Sequence, residues 1–232
     1  MTRPCLVLIP GLLNDAELWR DQVTVLSQDY DVRVADITRG ETMAALADQV
    51  LASAPERVSV AGFSLGGYVA QQMVRQAPER IERLALLDTA IRPDTPERAA
   101  ERAHLTRLAT SSGKFLGIGD RLLKTYMAPD HAANPEMAER VKGMTRRLGA
   151  EVFIRQSGLM REDGEAVLRA FTGPVLVVCG EVDAITPLAG HREMAALTSG
   201  SELVVVPGSG HLTPIEAPGV VTEALARWML RT

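Results

Sequence analysis

The chain has 232 residues, a length that suits one domain, or one core with an insertion, and buries a sizeable core without metal or disulfide staples. Hydrophobic residues make up 46% and charged residues 23%, which excludes the disordered and fibrous classes. A net charge of −4 argues against a nucleic-acid partner, and two cysteines, Cys5 and Cys179, are too few for a zinc cluster or a disulfide framework.

The chain opens with Arg3 and the apolar run Cys5–Leu13, which has the outline of a short secretory signal. Pro10-Gly11 interrupts the run, and Asn14 and Asp15 follow with no small-residue cleavage site, so it reads as a buried strand entering a loop. No stretch reaches the roughly 18 unbroken apolar residues of a membrane helix. A cytoplasmic protein with no membrane partner is expected.

Strands are predicted at Cys5–Ile9, Val32–Ala35, Val58–Ala61, Leu84–Leu87, Val175–Cys179 and Leu203–Val206. Each is a continuous β-branched or leucine-rich run, as in strands buried on both faces. Helical patterns fill the gaps at Ala16–Ser27, Thr42–Ser53, Leu65–Ala77, Leu188–Thr198 and Ala217–Leu230. This alternation predicts an α/β fold: a mostly parallel, doubly wound, six-stranded sheet with right-handed crossovers.

Residues 91–172 break the rhythm. Asp94 and Thr95 before Pro96 and Glu97 mark a helix start. Gly113, Pro129, Pro135, Gly149 and Gly164 divide the rest, giving about four helices. The expected division is a core of residues 1–90 and 173–232 and a helical insertion of 91–172. The insertion carries 14 Lys and Arg against 11 Asp and Glu, a net +3 that leaves −7 for the core. Such an arrangement could favour anionic substrates, or be no more than an uneven solvated surface. Met127, Met137, Met144 and Met160 lie in the insertion and suit either helix packing or a pliable apolar pocket.

The third predicted strand runs into Gly62-Phe63-Ser64-Leu65-Gly66-Gly67 and then a helical pattern. Gly-x-Ser-x-Gly between a strand and a helix makes a sharp turn that lifts a serine hydroxyl above the sheet, and only small neighbours tolerate that turn. Serine needs a base to act as a nucleophile. Of four histidines, His104, His131 and His191 fall in helices or their connections and read as surface residues. His211 follows the last strand, at the sheet edge that carries Ser64. The imidazole needs an acceptor. Asp183, in the loop after the fifth strand, is the leading candidate, with Asp88 and Glu181 as rivals.

The Gly62–Gly67 turn, the segments Gly180–Pro187 and Gly208–Pro218, and the opening Leu8-Ile9-Pro10-Gly11-Leu12-Leu13-Asn14 with Trp19 together resemble the α/β-hydrolase fold superfamily. The resemblance spans the chain, and the 91–172 insertion matches in position only. It implies Ser64 as nucleophile, Asp183 as the acid that orients the base, and His211 as base. It also implies an oxyanion hole from the backbone N–H groups of Leu12 and Leu65, with Gly11 and Phe63 lining the substrate site. Pro10 stands where a histidine usually precedes the glycine, and Leu13 where a second glycine is often found. With the first strand starting near residue 4, a six-stranded sheet without the family's leading antiparallel hairpin is expected, and the insertion would form a cap over the site. The expected activity is cleavage of a small-molecule carboxylic ester through an acyl-enzyme, by a monomer or small homo-oligomer without cofactor or metal. Thioester, lactone or carbon–carbon bond hydrolysis, and ligand binding with weak turnover, stay open as alternatives.

Overall fold

The computed structural model describes residues 3–111, 115 and 117–231. Six strands form one sheet: β1 (Cys5–Ile9), β2 (Asp31–Val34), β3 (Val58–Phe63), β4 (Ile81–Leu87), β5 (Val175–Gly180) and β6 (Glu202–Val206). The order across the sheet is β2-β1-β3-β4-β5-β6, and every adjacent pair is parallel. The sheet is therefore wholly parallel. Its switch point lies between β1 and β3, where the chain leaves in opposite directions and an open α/β sheet forms its crevice.

The strands serve two cores, except the edge strand β2, which packs Val32 and Val34 against the second alone. Cys5, Val7 and Ile9 of β1 join one apolar cluster, while Leu6 and Leu8 join the other. Val175 and Val177 of β5 divide from Leu176 and Val178 in the same way. Burial on both faces explains why these strands read as unbroken apolar runs. Helices α2 (Met43–Ser53) and α3 (Leu65–Gln76) cover the first face together with α9 (Leu188–Leu197). The second face is covered by α1 (Arg20–Leu26) and α11 (Pro218–Met229). The expected helix Ala16–Ser27 begins instead as a 3-10 turn, Ala16–Trp19, closed by the Asp15 carboxylate accepting from Glu17 N–H. A short α10 (Thr213–Glu216) precedes α11.

Between β4 and β5 lie α4 (Pro96–Ser111), α5 (Asp120–Tyr126), α6 (Pro129–Ala132), α7 (Pro135–Gly158) and α8 (Glu165–Ala170). That is one helix more than the punctuation suggested. The addition is the single turn α6, which opens on Pro129, where the missing proline N–H costs nothing. Gly149, as its place in the sequence suggested, stands where two helical stretches meet. It kinks α7, with φ 75° and ψ −175° inside the run. Gly113 lies outside the described residues. Met127 and Met144 are buried in the second core and Met137 packs against it, whereas Met160 is 78% exposed.

This helical segment is tied down by buried polar contacts. Arg140 reaches the Glu17 carbonyl at 2.6 Å and Asp21 Oδ2 at 2.6 Å. Gln156 of α7, fully buried, accepts from Leu13 N–H at 2.8 Å and donates to the Ile37 carbonyl at 3.2 Å. No helix of the described residues is long and apolar enough to cross a membrane.

Candidate active site

The turn between β3 and α3 holds Ser64 at φ 50° and ψ −114°, a left-handed conformation that a non-glycine residue adopts at a cost. Neighbouring close packing enforces it. A Cβ on Gly62 would strike the Gly66 carbonyl, and one on Gly66 would strike the carbonyls of Ile9 and Pro10. Thr89 secures the turn from β4, its hydroxyl donating to the Ser64 carbonyl at 2.7 Å.

Three loop residues distant in sequence meet here. Ser64 Oγ lies 3.0 Å from His211 Nε2, and His211 Nδ1 lies 2.8 Å from Asp183 Oδ2. The Asp183 and His211 side chains are fully shielded from solvent. Burial alone would raise the Asp183 carboxyl. The His211 charge, its hydrogen bond and those from Thr186 outweigh burial and bring it down to about 2. An ionised Asp183 can only accept, so Nδ1 carries the ring proton and Nε2 is free to accept from Ser64. The other carboxylate oxygen accepts from Ile185 and Thr186 N–H at 2.8 and 3.0 Å.

The rival acids are engaged elsewhere. Glu181 accepts from Gly208 N–H at 2.9 Å. Asp88 is wholly buried, accepts from Gly180 N–H at 2.9 Å and bonds the Thr213 hydroxyl. Burial first, and the neighbouring Asp183 charge second, push the Asp88 carboxyl well above its usual range. Asp88, Cys179 and Asp183 bring ligand atoms within 4.8 Å of one another. Their polar atoms are already spent on His211, Thr186, Gly180 and Thr213, and burial pushes the Cys179 thiol strongly upward, so the donor set does not fit a metal ion.

Across the crevice, the loop after β1 turns at Leu13, whose φ is 54°. Gln156 occupies Leu13 N–H, whereas the N–H groups of Leu12 and Leu65 donate to no other described residue. Gly11 sits against the Phe63 ring, where a Cβ would come within 2.8 Å. Phe63 is 1% exposed and wedged beneath the turn, its ring 5.2 Å from His211 and 6.4 Å from Trp19. It supports the histidine from below.

Two functional supports escaped sequence reasoning. Glu216 accepts from Gly210 and Leu212 N–H, at 3.0 and 2.9 Å, and so brackets His211. It also holds Ala128 N–H and His131 Nδ1, each at 2.9 Å. Its place in the Gly208–Pro218 segment was the available signal. His191, expected at the surface, is fully buried: its Nε2 accepts from Thr89 N–H at 3.1 Å. Burial lowers its pKa to about 4, so the ring is neutral. His131 is likewise half-buried on Glu216, and only His104 is exposed as expected.

A parallel sheet with a serine, histidine and aspartate joined at one edge is the architecture of the α/β hydrolases. The model of the Alpha/beta hydrolase family matches residues 6–224, and the chain belongs to that family. A protein of Shigella flexneri that carries the name carbamate hydrolase RutD is 26% identical, over 93% of this chain and 87% of its own length. A pimeloyl-[acyl-carrier protein] methyl ester esterase of Vibrio parahaemolyticus is 24% identical, over 90% of this chain and 87% of its own. The solved structure of a thermophilic esterase from Thermogutta terrifontis superposes with a TM-score of 0.86 at 28% identity, covering 98% of this chain and 90% of that one.

Proposed function

We propose that this protein is a serine-dependent hydrolase of small carboxylic esters. The observation that carries the reading is the continuous contact from Ser64 Oγ through His211 to Asp183, at 3.0 and 2.8 Å. Ser64 attacks the acyl carbon while His211 Nε2 takes its proton. The N–H groups of Leu12 and Leu65 stabilise the oxyanion that forms. Asp183 holds the imidazole tautomer and stabilises its cation. His211 then protonates the departing alcohol. It next activates a water, which releases the acid and restores Ser64.

The α4–α8 helices act as a cap, and Gln156 makes the cap part of the machinery. By occupying Leu13 N–H it fixes the loop that presents Leu12. The esterase names borne by similar proteins support the ester reading. A carbamate carbonyl would meet the same nucleophile, a second reading favoured by the relative named for that reaction.

The test is hydrolysis of 4-nitrophenyl esters from acetate to decanoate, with 4-nitrophenyl N-methylcarbamate beside them. The expected result is ester turnover that falls by roughly three orders of magnitude or more in Ser64→Ala, with the melting temperature retained. Ser64→Ala activity near that of the unmodified protein would sink the mechanism.

A further inference from the structure

Beside the Ser64–His211 pair the helical segment assembles a cluster of arginines that the mechanism does not use. Arg161, in the connection after α7, keeps only 7% of its side chain exposed. Among the described residues it donates one hydrogen bond, to the Leu159 carbonyl at 2.5 Å. Its nearest carboxylate, Asp94, stands 3.7 Å from Nε and is already paired with Arg102 of α4. A guanidinium has five N–H donors and is expensive to bury without acceptors. Burial, and Arg161 beside it, lower the Arg102 guanidinium to about 10. Burial likewise lowers Arg161, with Arg98 adding to the repulsion. A third arginine, Arg98, donates to the Ile185 carbonyl, two residues beyond Asp183. Arg102 and Arg161 therefore share the single carboxylate of Asp94, while Arg98 stands on the exposed side of α4.

Two tyrosines connect this cluster to the reacting groups. Tyr126 gives its carbonyl to His211 N–H at 2.7 Å and sets its ring edge-on to the imidazole at 5.6 Å. Its phenol lies in the field of Arg98 and Arg161. Tyr68, one turn of α3 beyond Ser64, lies in the field of all three arginines. The cluster thus borders the loops that carry the reacting groups, through Arg98 on the Ile185 carbonyl and Tyr126 on His211.

We propose that the substrate carries a free carboxylate, held by Arg161 with Arg102 and Arg98 while its ester carbonyl sits at Ser64. This rests on the hydrolase reading and narrows it to acidic esters. A carboxylate would supply acceptors for the unused guanidinium donors and relieve the repulsion that Arg102 and the more exposed Arg98 exert on the buried Arg161.

The experiment compares mono-(4-nitrophenyl) glutarate with 4-nitrophenyl valerate, which differ by a carboxylate in place of a terminal methyl. The unmodified protein should prefer the glutarate ester by roughly tenfold or more in kcat/KM at low salt, with added salt eroding the preference. Arg161→Met should erase that preference and Arg161→Lys should keep part of it. A preference for valerate, or a ratio that survives Arg161→Met, overturns the proposal. If Arg161→Met does not fold, inhibition of the unmodified protein decides. Butyrate should inhibit valerate hydrolysis more strongly than butyramide, and equal inhibition overturns the proposal. Failure of the hydrolase reading looks different: neither ester turns over, or both rates survive in Ser64→Ala. Calorimetric titration of glutarate then judges the cluster alone. Binding that weakens in Arg161→Met upholds it, and no binding to the unmodified protein refutes it.

Discussion

Asp88 and Asp183 stand at the ends of neighbouring strands, yet their surroundings drive their carboxyls in opposite directions. Asp183 has a histidine and three donors to justify its charge. Asp88 has the Asp183 charge against it and one backbone donor beside the Thr213 hydroxyl. These surroundings favour the protonated form of Asp88, which an asparagine can imitate with one acceptor and one donor. We expect Asp183→Asn to cost about four orders of magnitude in kcat by offering the imidazole the wrong tautomer. Asp88→Asn should fold and stay within roughly tenfold of the original rate, a small loss for a group that touches no reacting atom. Ester kinetics on the two variants check this directly, and a crippled Asp88→Asn would reverse the assignment. The sequence put Asp183 first because of its loop. It could not separate the two, since the difference lies in what each carboxyl meets, and Thr213 is 125 residues from Asp88.

The strands were the most legible elements because burial on both faces writes itself as an unbroken apolar run. The turn bearing Ser64 was equally plain, since its crowding demands glycine at Gly62 and Gly66. Helices α4–α8 were harder. Their boundaries depend on packing and on single residues such as Gly149, where punctuation marks the break but not the course of the chain through it. In the fold it is a bend: its φ of 75° lies in the left-handed region, but a Cβ there would meet nothing within 4 Å. Gly149→Ala should therefore destabilise through backbone strain alone, by about 1–2 kcal/mol. Thermal unfolding measures it. A neutral result would mean that α7 can straighten without loss.

At the scale of the whole molecule, stability responds to acid through His191, which joins α9 to the β4 end and, through Thr89, to the Ser64 turn. Its pKa in the fold is about 4, below the ordinary 6.5 it regains on unfolding. The unfolded chain therefore binds the proton first. The contribution is complete above pH 6.5 and is lost as the pH falls toward 4, by on the order of 3 kcal/mol. Urea titrations across that window should show the loss, and His191→Gln, which keeps an acceptor for Thr89 N–H, should flatten it. A slope unchanged in His191→Gln would assign the acid sensitivity to another group. Reading His191 as a surface residue failed because helical periodicity does not say which face meets a neighbour 102 residues away. Gln156 and Glu216 were missed for the same reason: they act on backbone N–H groups, which leave no mark on the residue types they hold.

The sheet order has a consequence for the chain during its synthesis. From β3 the strands add in one direction, through β4 and β5 to β6 at the far edge. The Ser64 turn can therefore form while the histidine it depends on, 147 residues later, has yet to be translated. At ordinary elongation rates that interval is on the order of ten seconds. On the proposed mechanism the serine is an inert alcohol throughout that interval, and it gains its reactivity only when the closing edge of the sheet docks.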